Sequence, residues 1–279
     1  MDEALPLNPF APTAPVCFIS THLDDVALSC SHFLAAHPGA TVVTVLAGAP
    51  PESRADGWNA KTTGEGYAQS ALRVRRDEDA TALALVHAAP YWLDLWEAEY
   101  LVRPRVKGGS GRGVPGISKV SRYALSKVHA RLRASSTRSQ RPVVDALRRA
   151  LAEVAPASVV APVGLYHADH RTVSDACLTV ARDSTLDWYL YLDMPYAQNF
   201  PRKVTRRLSK LAARFTLEAL ASVAASGDTK RQVASAYRSQ FEPVKQGLAI
   251  FEDALSDPER YWRILRHPAP VSSTTRPGQ

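Results

Sequence analysis

Short apolar runs alternating with longer amphipathic stretches most narrow what this chain can become. Val16–Ser20 is apolar, and Thr41–Leu46 is rich in β-branched residues. Tyr91–Leu95, Ser158–Ala161 and Trp188–Leu192 repeat the signal, so each is expected as a buried strand. Between them lie helical patterns. One starts at Asp25, which can cap it, carries Val26, Leu28, Phe33 and Leu34 on one face, and ends at Pro38-Gly39. Others span about Tyr67–His87, Val143–Val154 and Arg171–Arg182. Gly48–Gly66 reads as a loop, and about Phe200–Arg266 as mainly helical. Strands alternating with helices predict an α/β fold, a Rossmann-like layered structure with a mainly parallel sheet between helices.

Composition excludes several alternatives. With 279 residues, 46% of them hydrophobic, the chain can bury a sizeable core. Three cysteines cannot build a disulfide framework, and a reducing, cytoplasmic setting is expected. Pro6, Pro9, Pro12 and Pro15 interrupt the start, where a signal peptide needs an unbroken apolar segment. The uncharged run Val26–Pro51 contains His32, His37 and Pro38-Gly39. It therefore predicts a helix and a strand, and no membrane span is expected.

Positive charge is concentrated in one segment. Of 34 Lys/Arg, 13 fall between Arg103 and Arg149, beside the single acid Asp145. With five glycines among these charges, 103–141 is expected to be a basic Gly/Ser-containing insert. Residues 1–265 are expected as one domain that carries this insert, followed by a flexible tail over 266–279. Tyr123 is the one aromatic between Arg103 and Arg149, so nucleic acid is not expected as a partner. Gly111, Gly113 and Gly116 match the G-x-G-x-x-G dinucleotide fingerprint. Pro104 and Lys107 stand where its strand should be, and no acid follows until Asp145, so this match is rejected.

Two clusters sit where the chain leaves a strand, the position at which open α/β sheets bind ligands. The first is His22-Leu23-Asp24-Asp25 and the second is His167-Ala168-Asp169-His170. Imidazoles and a carboxylate with one open position are how catalytic zinc is held, and such a site brings the pKa of a bound water to about 7. With His22, Asp25 and one histidine of the second pair as ligands, Asp24 is free to act as general base. The other histidine is then free to stabilise an oxyanion, and Asp169 to orient an imidazole.

At these residues the sequence resembles the LmbE-like (PIG-L) family of zinc-dependent N-deacetylases. Its His-Pro-Asp-Asp corresponds to His22–Asp25, and its Gly-x-x-His-Pro-Asp-His to Gly164–His170. Its Arg-x-x-Glu-Asp helix corresponds to Arg75, Glu78 and Asp79, and its Lys…Tyr-x-Ser-Gln helix to Lys230 and Tyr237–Gln240. Leu23 and Ala168 stand where proline is common. The resemblance implies zinc on His22, Asp25 and His170, with Fe2+ as another divalent candidate. It further implies Asp24 as general base and His167 as stabiliser of the tetrahedral intermediate. The implied reaction removes an N-acetyl or other N-acyl group from a small amino-sugar conjugate.

Arg75, Tyr166, Asp193 and Trp58 are the candidate substrate contacts, with Asn59 beside Trp58. A homo-oligomer is left open. Two rivals remain at this level: an amidase acting on a non-sugar N-acyl or thiol-conjugate substrate, and a non-catalytic module that binds an anionic partner.

Overall fold

The computed structural model describes residues 11–55, 57–101, 137–223, 227–247 and 251–265. The tail, the glycine-rich match at Gly111–Gly116 and most of the basic insert lie outside them.

The expected strands form as β1 (Val16–Ser20), β2 (Thr41–Thr44), β3 (Ala89–Trp92), β4 (Ser158–Pro162) and β5 (Asp187–Tyr191). All five run parallel, and the seven-stranded sheet has the order β3-β2-β1-β4-β5-β7-β6. Helices α1 (Asp25–Ala35), α2 (Gly57–Thr63), α3 (Ala68–Ala84) and α4 (Ala98–Leu101) belong to the first half. They are followed by α5 (Thr137–Val154) and α6 (Ala168–Asp183). The chain builds outward from β1 to β3, then returns to lay β4 on the other side of β1. This reversal opens a crevice at the carboxyl ends of β1 and β4.

Alternation along the strands divides the core in two. Cys17, Ile19, Val43, Val159 and Leu190 face one side and pack with Leu147, Val173 and Cys177. Val16, Phe18, Val42, Val160 and Tyr189 face the other and pack with Val26, Phe33 and Leu83. Because both faces are covered, the strands read as continuous apolar runs in the sequence.

The second half departs from the helical expectation. Besides α7 (Tyr196–Asn199), α8 (Pro201–Ala212), α9 (Gly227–Ala236), α10 (Arg238–Gly247) and α11 (Phe251–Ser256), it contributes β6 (Thr216–Ala219) and β7 (Tyr261–Leu265). These two strands pair antiparallel to each other, and β7 pairs antiparallel to β5. Only four residues long and partly exposed, β6 carries too little apolar pattern to stand out. Helix α2 forms inside the expected Gly48–Gly66 loop. β3 begins two residues before the expected Tyr91 and includes Pro90, which its edge position tolerates.

Two buried acids tie this second half to the first. Helix α1 is kinked at Cys30 (φ −136°, ψ 16°). Just beyond the kink, Glu259 accepts from the backbone N–H of His32 (3.0 Å) and Phe33 (3.1 Å), acting as a remote cap. Its carboxylate also pairs with Lys230 at 3.2 Å and accepts from the Tyr261 hydroxyl, with both charges fully buried. Asp79 accepts from Trp92 Nε1 and the Tyr237 hydroxyl, each at 2.7 Å. Burial pushes its carboxyl up to about 6 against these two donors. Beside it, Glu78 accepts from Ser239 N and Oγ at the start of α10. The Arg-x-x-Glu-Asp and Tyr-x-Ser-Gln segments are therefore bonded to each other.

Glu259→Gln leaves the Lys230 ammonium buried without its counter-charge, and is expected to destabilise the fold by about 3–5 kcal/mol. Urea denaturation measures this, and a change within experimental error contradicts the assigned role.

Candidate metal centre

The β1–α1 and β4–α6 loops meet across the crevice. Asp25 was expected to cap α1, but its carboxylate turns back, and Oδ2 accepts from the His22 backbone N–H at 2.8 Å. Asp24 holds the N-cap position and makes no side-chain cap bond. Asp25 Oδ2 is then approached by two imidazoles, His22 Nδ1 at 3.2 Å and His170 Nε2 at 3.5 Å.

Each ring is held from behind by another carboxylate. His22 Nε2 lies 3.4 Å from Asp169 Oδ2, and His170 Nδ1 lies 2.9 Å from Asp193 Oδ1. With the ring protons assigned to these outer nitrogens, the inner ones present lone pairs to the same point. His170 is fully buried, and its Nε2 has no hydrogen-bond partner among the described residues. An orphaned imidazole nitrogen facing a carboxylate and a second imidazole fits a divalent cation by donor chemistry. The ligand atoms of His22, Asp25 and His170 lie within 4.8 Å of one another. His22, His167 and Asp169 form a second such trio. There, however, Asp169 Oδ2 is already engaged by His22 and by the Ala98 backbone N–H (3.3 Å), so the first trio is the better fit.

Electrostatics agree with this choice. Burial would push the Asp25 carboxyl up, but His170 and His22 outweigh it and bring it down to about 2. Burial would lower His22, yet Asp169 and Asp25 raise it well above the ordinary histidine value. His170 is raised likewise by Asp25 and Asp193. The acids thus favour positive charge at the point where the two rings converge. Asp24 differs: burial and the neighbouring Asp25 push it up to about 6. It borders an apolar recess of about 10 Å3 beside Leu28, Tyr237 and Phe251, close to the space one water needs.

His167 completes the cluster, its ring centroid 5.8 Å from that of His22 and 6.2 Å from that of His170. Its Nδ1 accepts from the Asp169 backbone N–H at 3.3 Å, which leaves the proton on Nε2. The same Nδ1 lies 3.3 Å from Asp169 Oδ2.

The four candidate substrate contacts divide. Asp193 stands behind His170 instead of facing a ligand. It is 1% exposed, and its two oxygens are taken by His170 Nδ1 and by the Gly164 N–H (2.8 Å). Arg75 is buried as well, donating to Asn59 Oδ1 (3.1 Å) and Glu97 Oε1 (2.9 Å). Tyr166 stacks its ring on Tyr196 and Phe200. Trp58 is 40% exposed and donates its indole N–H to Gln240 (2.8 Å). Sequence reasoning missed Glu97, whose charge acts on His22. Like the two histidine clusters, it follows the carboxyl end of a strand, β3, and the expected strand, ending at Leu95 two residues before it, is signal enough to point to it.

These features give the chain its class: an α/β protein with an acid-flanked imidazole centre at its switch point. The sequence matches the family described as PIG-L: GlcNAc-PI de-N-acetylase over residues 17–181, and the chain belongs to that family. No curated protein matches it significantly. Among solved structures, a triple mutant of a deacetylase of the teicoplanin biosynthetic pathway gives a TM-score of 0.62 at 20% identity. That likeness covers 91% of this chain and 99% of that one. The A40926 pseudoaglycone deacetylase gives 0.62 at 21% identity, covering 91% and 98%. The zinc-inhibited form of the teicoplanin deacetylase gives 0.60 at 23%, covering 91% and 99%. At these identities the likeness is one of fold.

Two variants test the framework. Asp193→Asn removes the charge that orients His170 and is expected to weaken divalent-metal affinity about 10–100-fold, measured by competition with a chelating dye. Gly164 has φ +84°, and a Cβ there would lie 2.5 Å from Ser174 Cβ. Gly164→Ala is therefore expected to destabilise the fold by about 2 kcal/mol or more, read from chemical denaturation.

Proposed function

We propose that this chain is a divalent-metal-dependent N-deacetylase acting on an amino-sugar conjugate. The observation that carries the reading is the convergence of His22, Asp25 and His170 at the switch crevice of a PIG-L family chain. Deacetylases among the structures of like fold support the same reaction class.

His22 Nδ1, Asp25 Oδ2 and His170 Nε2 are the proposed ligands, with zinc or Fe2+ as the ion. A divalent cation held there would lower the pKa of a water molecule and polarise a carbonyl oxygen. Asp24, adjacent to a ligand and with a carboxyl pushed up to about 6, is suited to take the proton of the attacking water. The same carboxyl then returns that proton to the departing nitrogen as the C–N bond breaks, giving acetate and a free amine. His167 donates its Nε2 proton towards the carbonyl oxygen as negative charge builds there. Asp169 aligns His22 through its carboxylate and His167 through its backbone N–H. Burial of Asp25, Asp193 and His170 excludes water from behind the centre and strengthens each of these interactions.

Asp24→Asn is expected to retain metal and lose about 10²–10⁴-fold in turnover, measured as amine release from N-acetylglucosamine derivatives. Near-normal turnover would remove Asp24 from the role of base. Wild-type protein that cleaves N-acyl amines lacking a sugar equally well would move the substrate class away from amino sugars. Because a relative is described as zinc-inhibited, the assay is best run at one equivalent of metal and again in excess.

A further inference from the structure

Along the β4–α6 loop that leads to His167 and His170, a cleft of about 390 Å3 opens against α8. Tyr166, Arg171, Lys203, Arg206, Arg207 and Lys210 wall it. The surrounding sequence is one-signed: residues 194–217 contain six Lys/Arg and no acid. Helix α8 turns Val204, Leu208 and Leu211 towards the core, which gathers its cations on the cleft side.

The cations fall into two groups. Arg207 is an anchor, donating to the Val163 carbonyl (2.9 Å), Ser174 Oγ (2.9 Å) and Asp175 Oδ1 (2.8 Å). That set fixes α8 against α6 and consumes the charge of Asp175. Lys203 instead lies over the rings of Tyr166 (4.4 Å) and Phe200 (4.2 Å). Arg171, Arg206 and Lys210 are exposed and make no ion pair among the described residues. Like charges around a concavity repel, and an anion seated among them relieves that repulsion. A concave site of this volume suits a substituent of a small molecule better than a polymer.

Chain adjacency and ring contacts link the wall of the cleft to the candidate metal centre. Tyr166 precedes His167, and Arg171 follows it by one helical turn. Tyr196 stacks on Tyr166 and sets its ring edge-on to His170 at 5.1 Å.

We propose that this cleft is an anion-binding subsite that seats a phosphate or carboxylate group of the molecule bound at the metal centre. Identifying that molecule as the substrate rests on the N-deacetylase reading; the binding of the anion does not.

Calorimetry on the full chain compares three ligands: N-acetylglucosamine, its 1-phosphate, and N-acetylmuramic acid, which carries a carboxylate. At least one anionic ligand is expected to bind about tenfold more tightly than the neutral sugar at low salt, with the advantage shrinking as salt rises. Which of the two gains identifies phosphate or carboxylate as the preferred group. In the double variant Arg206→Glu, Lys210→Glu the advantage is expected to vanish, with neutral-sugar affinity and metal content unchanged.

Equal binding of all three ligands, binding of none, or an undiminished preference in the variant overturns the subsite. Amine release run on the same ligands separates the two claims. Preference for the anion without hydrolysis supports the subsite and counts against the deacetylase reading. Hydrolysis without preference does the reverse.

Discussion

One carboxylate oxygen, Asp25 Oδ2, organises the centre of this molecule. Two imidazole nitrogens and a backbone N–H converge on it from two loops, and the outer nitrogens of both rings are held by Asp169 and Asp193. Such convergence in a buried place is unfavourable unless positive charge sits among the groups, as a proton or a metal ion. The parallel sheet makes it achievable, because β1 and β4 lie side by side at the point where strand order reverses. Their loops leave in the same direction and deliver two distant sequence clusters to one crevice.

Around that point the molecule layers supporting contacts outward. Gly164 brings its N–H to Asp193 in a left-handed conformation, and Asp193 fixes His170. Arg75, itself buried, holds Asn59 and Glu97. Glu78 and Asp79, one turn further along α3, receive Ser239 and Tyr237 from the far end of the chain. Glu259 reaches back to the kink in α1 and to Lys230. These acids outside the candidate metal centre thus tie the C-terminal part of the chain to two helices, Glu78 and Asp79 to α3 and Glu259 to α1.

Much of this was legible in the sequence. The strands β1, β2, β4 and β5 are apolar runs buried on both faces, a pattern that solvent exclusion imposes and that reads without knowledge of neighbours. The two histidine clusters were legible because each follows a strand and leads into a helix. Edge elements were harder to read. β6 is short and half-exposed, and β7 owes its strand state to pairing with β5 and β6. The burial of Arg75 and Asp193 was also hidden, since a charged residue is buried only when distant partners arrive, here Glu97, Asn59, Gly164 and His170. Sequence position placed Asp193 at the end of a strand, but only the fold shows that it faces an imidazole.

The claim on which the rest turns is that His22, Asp25 and His170 hold one divalent ion. X-ray absorption on the full chain, loaded with one equivalent of zinc and desalted, tests it most directly. The account predicts about one ion per chain, in a shell of imidazole nitrogen and carboxylate oxygen at about 2.0–2.2 Å without sulfur. Loss of the metal on desalting, or a shell containing cysteine sulfur, would contradict it.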